Sequence, residues 1–160
     1  MPRISELTEV DFNGVENPYV PPRELRISDK LKLHRNWSED VDPVTYEVVR
    51  HNLWQINEEH GATIQRLSGS PVAMYALDLN PSILTEDAEF VYFGPYMQYM
   101  SGVTDTQVKW TLEFRSDNPG INEGDMFIAN DPWVGAAHQQ DVMLLCPVFW
   151  EGELFCWVTN

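Results

Sequence analysis

The chain has 160 residues, of which 43% are hydrophobic and 12% aromatic, so it can form one domain with a substantial core. Its formal net charge is −15, and its few lysines and arginines form no basic stripe. This argues against nucleic-acid binding, which needs clustered cations, and against binding to anionic membranes. The first residues contain no apolar segment typical of a secretory signal, and the longest apolar stretch, 142–150, is too short to span a bilayer. We therefore expect a cytoplasmic protein with no nucleic-acid or membrane partner.

Residues 1–41 are predicted to form an extended N-terminal arm. Pro21 and Pro22 lack backbone donors and favour extended backbone, and hydrophobic periodicity is weak throughout this stretch. A disordered tail is one interpretation. Large apolar side chains such as Leu31 and Trp37 favour the other, an arm that becomes ordered on another subunit.

A first helix is predicted to begin at Asp42-Pro43, where an N-cap aspartate precedes a proline in the first helical position. Gly69 and Pro71 should end it. Apolar residues at three- and four-residue steps form an amphipathic stripe, which consists of Tyr46, Val49, Leu53, Ile56, His60 and Ile64. His51 and His60 have no ligand partner at helical spacing, so we interpret them as ordinary surface or interface residues.

The middle of the chain is predicted to form a hairpin followed by a second helix. Residues 75–79 and 82–85 have an extended pattern, and 86–88 can turn the chain into a strand at 89–93. Residues 101–114 have the pattern of a helix with several side chains available for packing.

The last part of the chain is predicted to contain a short strand at 125–129, a loop at 134–140 and a second hairpin. The strands of this hairpin are 141–148 and 153–159, joined by the two-residue turn Glu151-Gly152. A helix–hairpin–helix–hairpin order predicts an α+β fold rather than a doubly wound sheet. Because so small a sheet leaves its edges open, we expect the chain to be the beginning of a longer protein.

The two cysteines, Cys146 and Cys156, lie within apolar runs. We interpret them as buried free thiols, with a disulfide across the hairpin as the alternative.

The densest group of polar residues lies in the segment 130–141. His138 and Asp141 are three positions apart in a glycine-containing loop, so an imidazole and a carboxylate can converge on one cation. Zn²⁺ and Mn²⁺ both accept such mixed ligands, although a third ligand must come from elsewhere. A hydrogen-bonded loop pair is the alternative interpretation. The sequence has no phosphate-binding loop, nucleophile elbow or paired-cysteine zinc spacing, so no known short motif for ATP is present.

Several segments, in order and with matching spacing, resemble the hydantoinase B and oxoprolinase family. GDMFIANDPWVG at 124–135 resembles the family pattern GDVF-x-x-NDP-x-x-G, and His138-Gln139-Gln140-Asp141 follows it as in the family. PVFWEGEL at 147–154 resembles PVF-x-x-GEL, and it is similar to the PIFWEGEL of the alpha-type subunits of acetone carboxylase. DPVTYEVVR at 42–50 resembles DPVT-x-E-V-x-R.

The resemblance implies a multi-subunit, ATP-dependent ketone carboxylase that joins a ketone to bicarbonate and yields a 3-oxo acid. A hydantoinase A-like subunit would bind ATP with Mg²⁺, and residues 42–160 would be the N-terminal portion of a hydantoinase B-like catalytic domain. His138 and Asp141 would be two ligands of a divalent metal, Zn²⁺ or Mn²⁺, whose third ligand lies beyond Asn160. Asn130 and Asp131 would orient these ligands.

Two features bear on the expected substrate. Tyr99-Met100-Ser101 stands where relatives have HLG or HVG, which puts one contact of the family to substrate or metal in doubt. The aromatic-rich run 90–99 has two interpretations. It belongs to the core or to a subunit interface, or it lines an apolar pocket for an aryl ketone such as acetophenone. We expect the substrate to be an aromatic ketone, with acetone as the next candidate. The alternatives are an ATP-dependent hydantoinase or 5-oxoprolinase, which opens a cyclic amide, and a non-catalytic subunit that supports assembly.

Overall fold

The computed structural model describes residues 18–38, 40–97 and 102–160. Their helices are α1 (Pro43–Leu67), α2 (Pro71–Tyr75) and α3 (Thr104–Arg115), and a 3-10 turn spans Pro132–Val134. Their strands are β1 (Ser82–Thr85), β2 (Phe90–Phe93), β3 (Phe127–Ala129), β4 (Met143–Trp150) and β5 (Glu153–Thr159). The predicted α+β class is confirmed. No helix in this part of the chain is both long and apolar enough to cross a membrane.

The strands form one antiparallel sheet in the order β2-β1-β5-β4-β3. The two predicted hairpins join where β1 pairs with β5, with Leu84 opposite Trp157. Glu151 and Gly152 both have positive φ, as a two-residue hairpin turn requires, and Phe149 faces Leu154 across it. The turn predicted from the sequence is therefore confirmed, whereas the pairing between the hairpins is a tertiary feature.

The core lies between one face of this sheet, α3 and the N-terminal arm. Its side chains without solvent exposure come from β1, the turn after β1, α3, β4 and β5, and they are Leu84, Ala88, Val108, Leu112, Leu145, Leu154 and Trp157. Removing each such side chain larger than alanine from water stabilises the fold by roughly 1.5–3 kcal/mol. Leu31 of the arm completes the same cluster.

The arm binds its own chain. The backbone N–H of His34 donates to the carbonyl of Leu154, and the N–H of Leu154 donates to the carbonyl of Lys32, both at 2.8 Å. Leu33 thereby forms a parallel bridge to the start of β5. The expectation that the arm orders on another subunit is thus wrong for residues 18–38, because their apolar side chains and backbone groups find partners on the sheet beside them. The division of the chain after residue 41 stays a prediction.

Glu113 anchors the arm to α3. Its side chain is only 2% exposed, and its two oxygens accept hydrogen bonds from the Tyr19 hydroxyl at 2.8 Å and from the Arg26 backbone N–H at 3.1 Å. Burial, together with this hydrogen bond to a carboxylate, raises the pKa of Tyr19 far above its ordinary value. The phenol therefore remains a donor at all ordinary pH values.

α1 begins as predicted, since the Asp42 carboxylate accepts from the N–H groups of Val44 and Thr45 at 3.1 Å. The predicted stripe is wrong for the first half of the helix: Tyr46, Val49 and Ile56 are all about half exposed or more. The buried positions of α1 are instead Asn57 and Gly61. The stripe rule assumes that large apolar side chains make the contact, whereas a small and a polar residue make it here.

Gly61 lets α1 approach the chain after β2. A Cβ at this position would lie 2.4 Å from the ring of Tyr96, so the ring occupies the space that glycine leaves. Nearby, the Asn57 side-chain amide donates to the carbonyl of Pro81 at 3.1 Å. These two contacts fix the second half of α1 beside the sheet.

The extended segment predicted at 75–79 is wrong: its first residue ends the short helix α2 (Pro71–Tyr75), and no strand forms at 76–79. Pro71 stands in the first helical position, where its fixed φ and missing N–H favour a new helical turn. The chain then passes through Leu77, which has a φ of 57°, before it enters β1.

Candidate active site

The loop between β3 and β4 is shaped by Asn130 and Asp131. The Asp131 carboxylate accepts from the N–H of Trp133 at 2.9 Å, and its carbonyl accepts from the N–H groups of Val134 and Ala136. The Asn130 side-chain amide donates to the carbonyl of Gln139 at 3.0 Å, which ties the two ends of the loop together. Both side chains therefore hold the backbone in place. Their predicted role in orienting metal ligands stays a prediction.

Gly135 fits this loop against the start of α3. Its φ is 98°, a conformation that favours glycine, and a Cβ there would lie 2.7 Å from the carbonyl oxygen of Val103. The following residue, Ala136, is only 5% exposed. The loop that contains His138 therefore packs directly against the start of α3.

The structure brings His138 and Asp141 together. Nδ1 of His138 lies 3.4 Å from Oδ2 of Asp141, and the same oxygen accepts from the His138 backbone N–H at 3.3 Å. The N–H of Asp141 donates to the carbonyl of His138 at 3.1 Å, which closes a tight turn. The imidazole is 58% exposed and the carboxylate 12% exposed, so the pair has one fixed member and one that can turn toward a ligand.

This pair lines a cavity of about 530 Å³, a size typical of small-molecule sites. The cavity lies between the end of α1, the segment 70–80 and the start of β4. Its polar lining residues are Ser68, Ser70, Asp78, Asn80, His138, Gln140, Asp141 and Asn160, and its apolar ones are Ile64, Val72, Ala73, Leu79, Met97, Val142 and Met143. A lining that mixes polar and apolar side chains in about equal numbers suits a small ligand with both an apolar part and a polar group.

The donor set of the pair fits part of a metal site. An imidazole nitrogen and a carboxylate oxygen 3.4 Å apart can bind one Zn²⁺ or Mn²⁺ ion after a small rotation of the exposed ring. No group of three or more histidine, cysteine, aspartate or glutamate side chains with metal-binding geometry occurs in the described ranges. The third ligand expected beyond Asn160 stays a prediction.

Sequence reasoning missed the part of the cavity lining that is formed by Asp78, Asn80 and Asn160. The Asn80 backbone N–H donates to the side-chain oxygen of Asn160 at 3.1 Å, and Asn160 exchanges two backbone hydrogen bonds with Leu144. These residues come from distant parts of the chain and share no motif. Only the pairing of β1 with β5 brings them to one cavity.

The aromatic run after β1 does not form the walls of this cavity in the part of the chain that the structure describes. Phe90 packs on the core and meets Phe93 edge to face at 6.1 Å, while Tyr96 covers Gly61. Of the described residues in the run, Met97 lines the cavity. The segment 99–101, where the sequence differs from the family pattern, lies outside the described residues.

Comparisons with known proteins place the chain in one family. The family model for hydantoinase B/oxoprolinase matches residues 42–160. The chain is 30% identical over 133 residues to 5-oxoprolinase 1 of Arabidopsis thaliana, covering 83% of this chain and 10% of that protein. It is 25% identical over 118 residues to the acetone carboxylase alpha subunit of Xanthobacter autotrophicus, covering 73% and 15%.

A solved structure gives the same fold. The ATP-dependent caprolactamase of Pseudomonas jessenii superposes with a TM-score of 0.62 at 26% identity, covering 76% of this chain and 21% of that one. The chain thus spans between about a tenth and a fifth of the length of the proteins that it matches.

Proposed function

The chain belongs to the hydantoinase B/oxoprolinase family, and we propose on that basis that it carries part of the active site of an ATP-dependent ketone carboxylase. The observation that supports this most directly is that His138 and Asp141 line a cavity of about 530 Å³. A carbonyl compound of a few heavy atoms fits a space of this size, with its oxygen toward the pair.

His138 and Asp141 are the residues that hold a divalent cation, Zn²⁺ or Mn²⁺, in this proposal. The chemistry such a cation supplies is Lewis-acid stabilisation of the negative charge that develops on a carbonyl oxygen. Asp131 and Gly135 keep the loop in the shape that presents both ligands to the cavity. The lining also contains aliphatic side chains, including those of Val72 and Leu79, which contact the carbon part of the substrate in this proposal.

In this proposal ATP with Mg²⁺ binds to a partner, the hydantoinase A-like subunit, as the resemblance to the family implies. ATP phosphorylates the ketone as its enol and bicarbonate as carboxyphosphate. Water takes the phosphoryl group from the enol phosphate and releases the enolate, while carboxyphosphate breaks its C–O bond to give CO₂ and phosphate. The α-carbon of the enolate then bonds to the carbon of CO₂. The product is a 3-oxo acid, and the one bicarbonate oxygen that is lost leaves on phosphate.

The aromatic run 90–99 favoured an aromatic ketone as the substrate, for example acetophenone, which would give benzoylacetate. The positions of Phe90, Phe93 and Tyr96 away from the cavity remove that support, and the walls near the pair are aliphatic. Acetone and acetophenone therefore enter the test as equal candidates. The volume of the cavity admits either compound.

A second candidate function is ATP-dependent opening of a cyclic amide. It is favoured by the identity of this chain to 5-oxoprolinase 1, 30%, which exceeds the 25% to the acetone carboxylase subunit. A lactam carbonyl places its oxygen on the same pair, and water replaces bicarbonate as the second substrate. The two functions therefore differ in whether bicarbonate is consumed.

The test is an assay of the natively purified complex for ATP hydrolysis that depends on acetone, acetophenone, a hydantoin or 5-oxoproline, with and without bicarbonate. A carboxylase forms its product only with bicarbonate and loses activity in the His138→Ala complex. Gln139→Ala is the matched control, because that exposed side chain is the neighbour of His138 and does not line the cavity.

Each other outcome assigns a different role. ATP hydrolysis driven only by a cyclic amide moves the function to the amidohydrolases. Unchanged turnover in an assembled His138→Ala complex leaves the chain a non-catalytic role in assembly.

A further inference from the structure

We infer that the cavity selects an uncharged carbonyl compound over an anionic one, and that Asp78 is the residue that sets this selectivity. The inference rests on the proposed function, since it concerns the ligand of the same site. It divides the candidate substrates into two classes. Ketones and simple lactams are neutral, whereas 5-oxoproline carries a carboxylate.

Asp78 is held at the cavity wall by its neighbours. The preceding residue, Leu77, has a φ of 57°, a strained conformation for a non-glycine residue, and the Asp78 backbone N–H donates to the carbonyl of Val72 at 3.3 Å. Leu79 and Asn80, which follow, are only 6% and 4% exposed. The residues just before Leu79 therefore lie at the surface, and the turn that they form places the Asp78 carboxylate in the lining of the cavity.

Two anchors fix the far side of this turn. The carbonyl of Leu79 accepts from the N–H of Met97 at 3.2 Å, and the N–H of Asn80 donates to the side chain of Asn160 at 3.1 Å. Met97 and Asn160 themselves line the cavity. Asp78 is itself exposed, and these contacts fix the backbone that follows it at the edge of the cavity.

The charge of the lining decides the ligand class. It contains the carboxylates of Asp78 and Asp141, and no lysine or arginine is among its described residues. A neutral carbonyl compound has no net charge for these carboxylates to repel, whereas the carboxylate of an anionic compound is repelled by both of them.

The experiment compares matched pairs of ligands that differ only by a carboxylate. The pairs are 2-pyrrolidinone with 5-oxoproline, and acetophenone with 4-acetylbenzoate. Binding to the natively purified complex is measured by calorimetry or ligand-observed NMR in the presence of Mn²⁺, without ATP. We expect the neutral member of at least one pair to bind at least about tenfold more tightly than its anionic partner, the size expected for one nearby charge.

Asp78→Asn tests the assignment to this residue. It should raise the affinity of the anionic members by about threefold or more and leave the neutral members nearly unchanged, since one negative charge is removed without a change of shape. Asp78→Glu should restore the original preference. Glu123→Gln, which removes an exposed carboxylate that does not line the cavity, is the control for net charge.

The possible failures are distinct. Equal affinity for both members of each pair, or an unchanged ratio in Asp78→Asn, overturns this inference and leaves the proposed function standing. If none of these compounds binds, the inference is wrong, and the ATP-hydrolysis assay described above, which also includes acetone and a hydantoin, decides the proposed function.

Discussion

One carboxylate oxygen of Asp141 serves both the backbone and the imidazole of His138. Oδ2 lies 3.3 Å from the His138 backbone nitrogen, which donates to it, and 3.4 Å from Nδ1 of the same residue. The shape of the loop and the position of the candidate metal ligands therefore depend on the same atom. Substitutions that preserve the acceptor separate these two roles.

Asp141→Asn should weaken divalent metal binding while the loop keeps its shape. The amide oxygen still accepts from the His138 N–H, but the charge that a cation needs is gone. We expect affinity for Mn²⁺ or Zn²⁺ to fall at least about tenfold, measured by calorimetry on the natively purified complex. Gln140→Ala, a neutral neighbour in the same cavity, should leave the affinity nearly unchanged. Equal affinities for the wild type and Asp141→Asn would contradict the metal assignment.

Gly135→Ala should destabilise the protein by about 1–3 kcal/mol, because the new Cβ combines an unfavourable φ with a clash against the backbone of Val103. Gly152→Ala is the matched control, since Gly152 also has a positive φ, 82°, but a Cβ there meets nothing within 4 Å. Urea unfolding of both variants measures the difference. If Gly135→Ala lowers the free energy of unfolding no more than Gly152→Ala does, the loop does not depend on its packing against α3.

Gly61→Ala should have opposite effects depending on Tyr96. With the ring present, the new methyl group displaces it from α1 and destabilises the fold. In a Tyr96→Ala background, the same change should stabilise the protein by about 1 kcal/mol, because alanine is the better helix former. Thermal unfolding of the four proteins in this cycle gives the coupling free energy. Purely additive effects would rule out the ring-over-glycine contact.

Glu113→Ala should cost far more stability than removal of an exposed ion pair on the same arm. It leaves the Tyr19 hydroxyl and the Arg26 N–H without their acceptor, a loss of about 2–3 kcal/mol. Lys30→Ala, which removes the exposed bridge to Asp117, should cost less than about 1 kcal/mol. Chemical denaturation compares the two variants, and limited proteolysis reports release of the arm. Similar costs would mean that Glu113 is not the anchor.

Cys156 should react slowly with iodoacetamide at neutral pH. Burial, assisted by nearby Glu86, raises the pKa of this thiol from 9.0 to about 11. Between these values the folded thiol keeps its proton while the unfolded thiol loses it. The contribution of this group to stability is therefore complete below pH 9 and is lost as the pH rises toward 11.

The measurement is the alkylation rate of a Cys146→Ala variant from pH 7 to pH 11, with the urea-unfolded chain as reference. The rate for the folded protein should rise about two pH units later than that for the unfolded chain, as the shifted pKa requires. Coincident profiles would contradict the burial of Cys156.

Local chemistry in the sequence determined the helix start at Asp42, the turn at Glu151-Gly152 and the closeness of His138 to Asp141. Each of these depends on residues within a few positions of one another, where capping, turn preference and short spacing control geometry directly. The α+β class followed from the order of such elements.

The tertiary structure alone decided the arm, the contact face of α1 and the far wall of the cavity. The arm binds β5 and α3 through partners such as Glu113, about ninety residues away. α1 packs through Gly61 because the ring of Tyr96, which is distant in the sequence, fills the space beside it. The periodicity of apolar residues along the helix does not predict this contact. Asp78 lines the same cavity as His138 and Asp141 only because β1 pairs with β5, which brings together segments that are far apart in the chain.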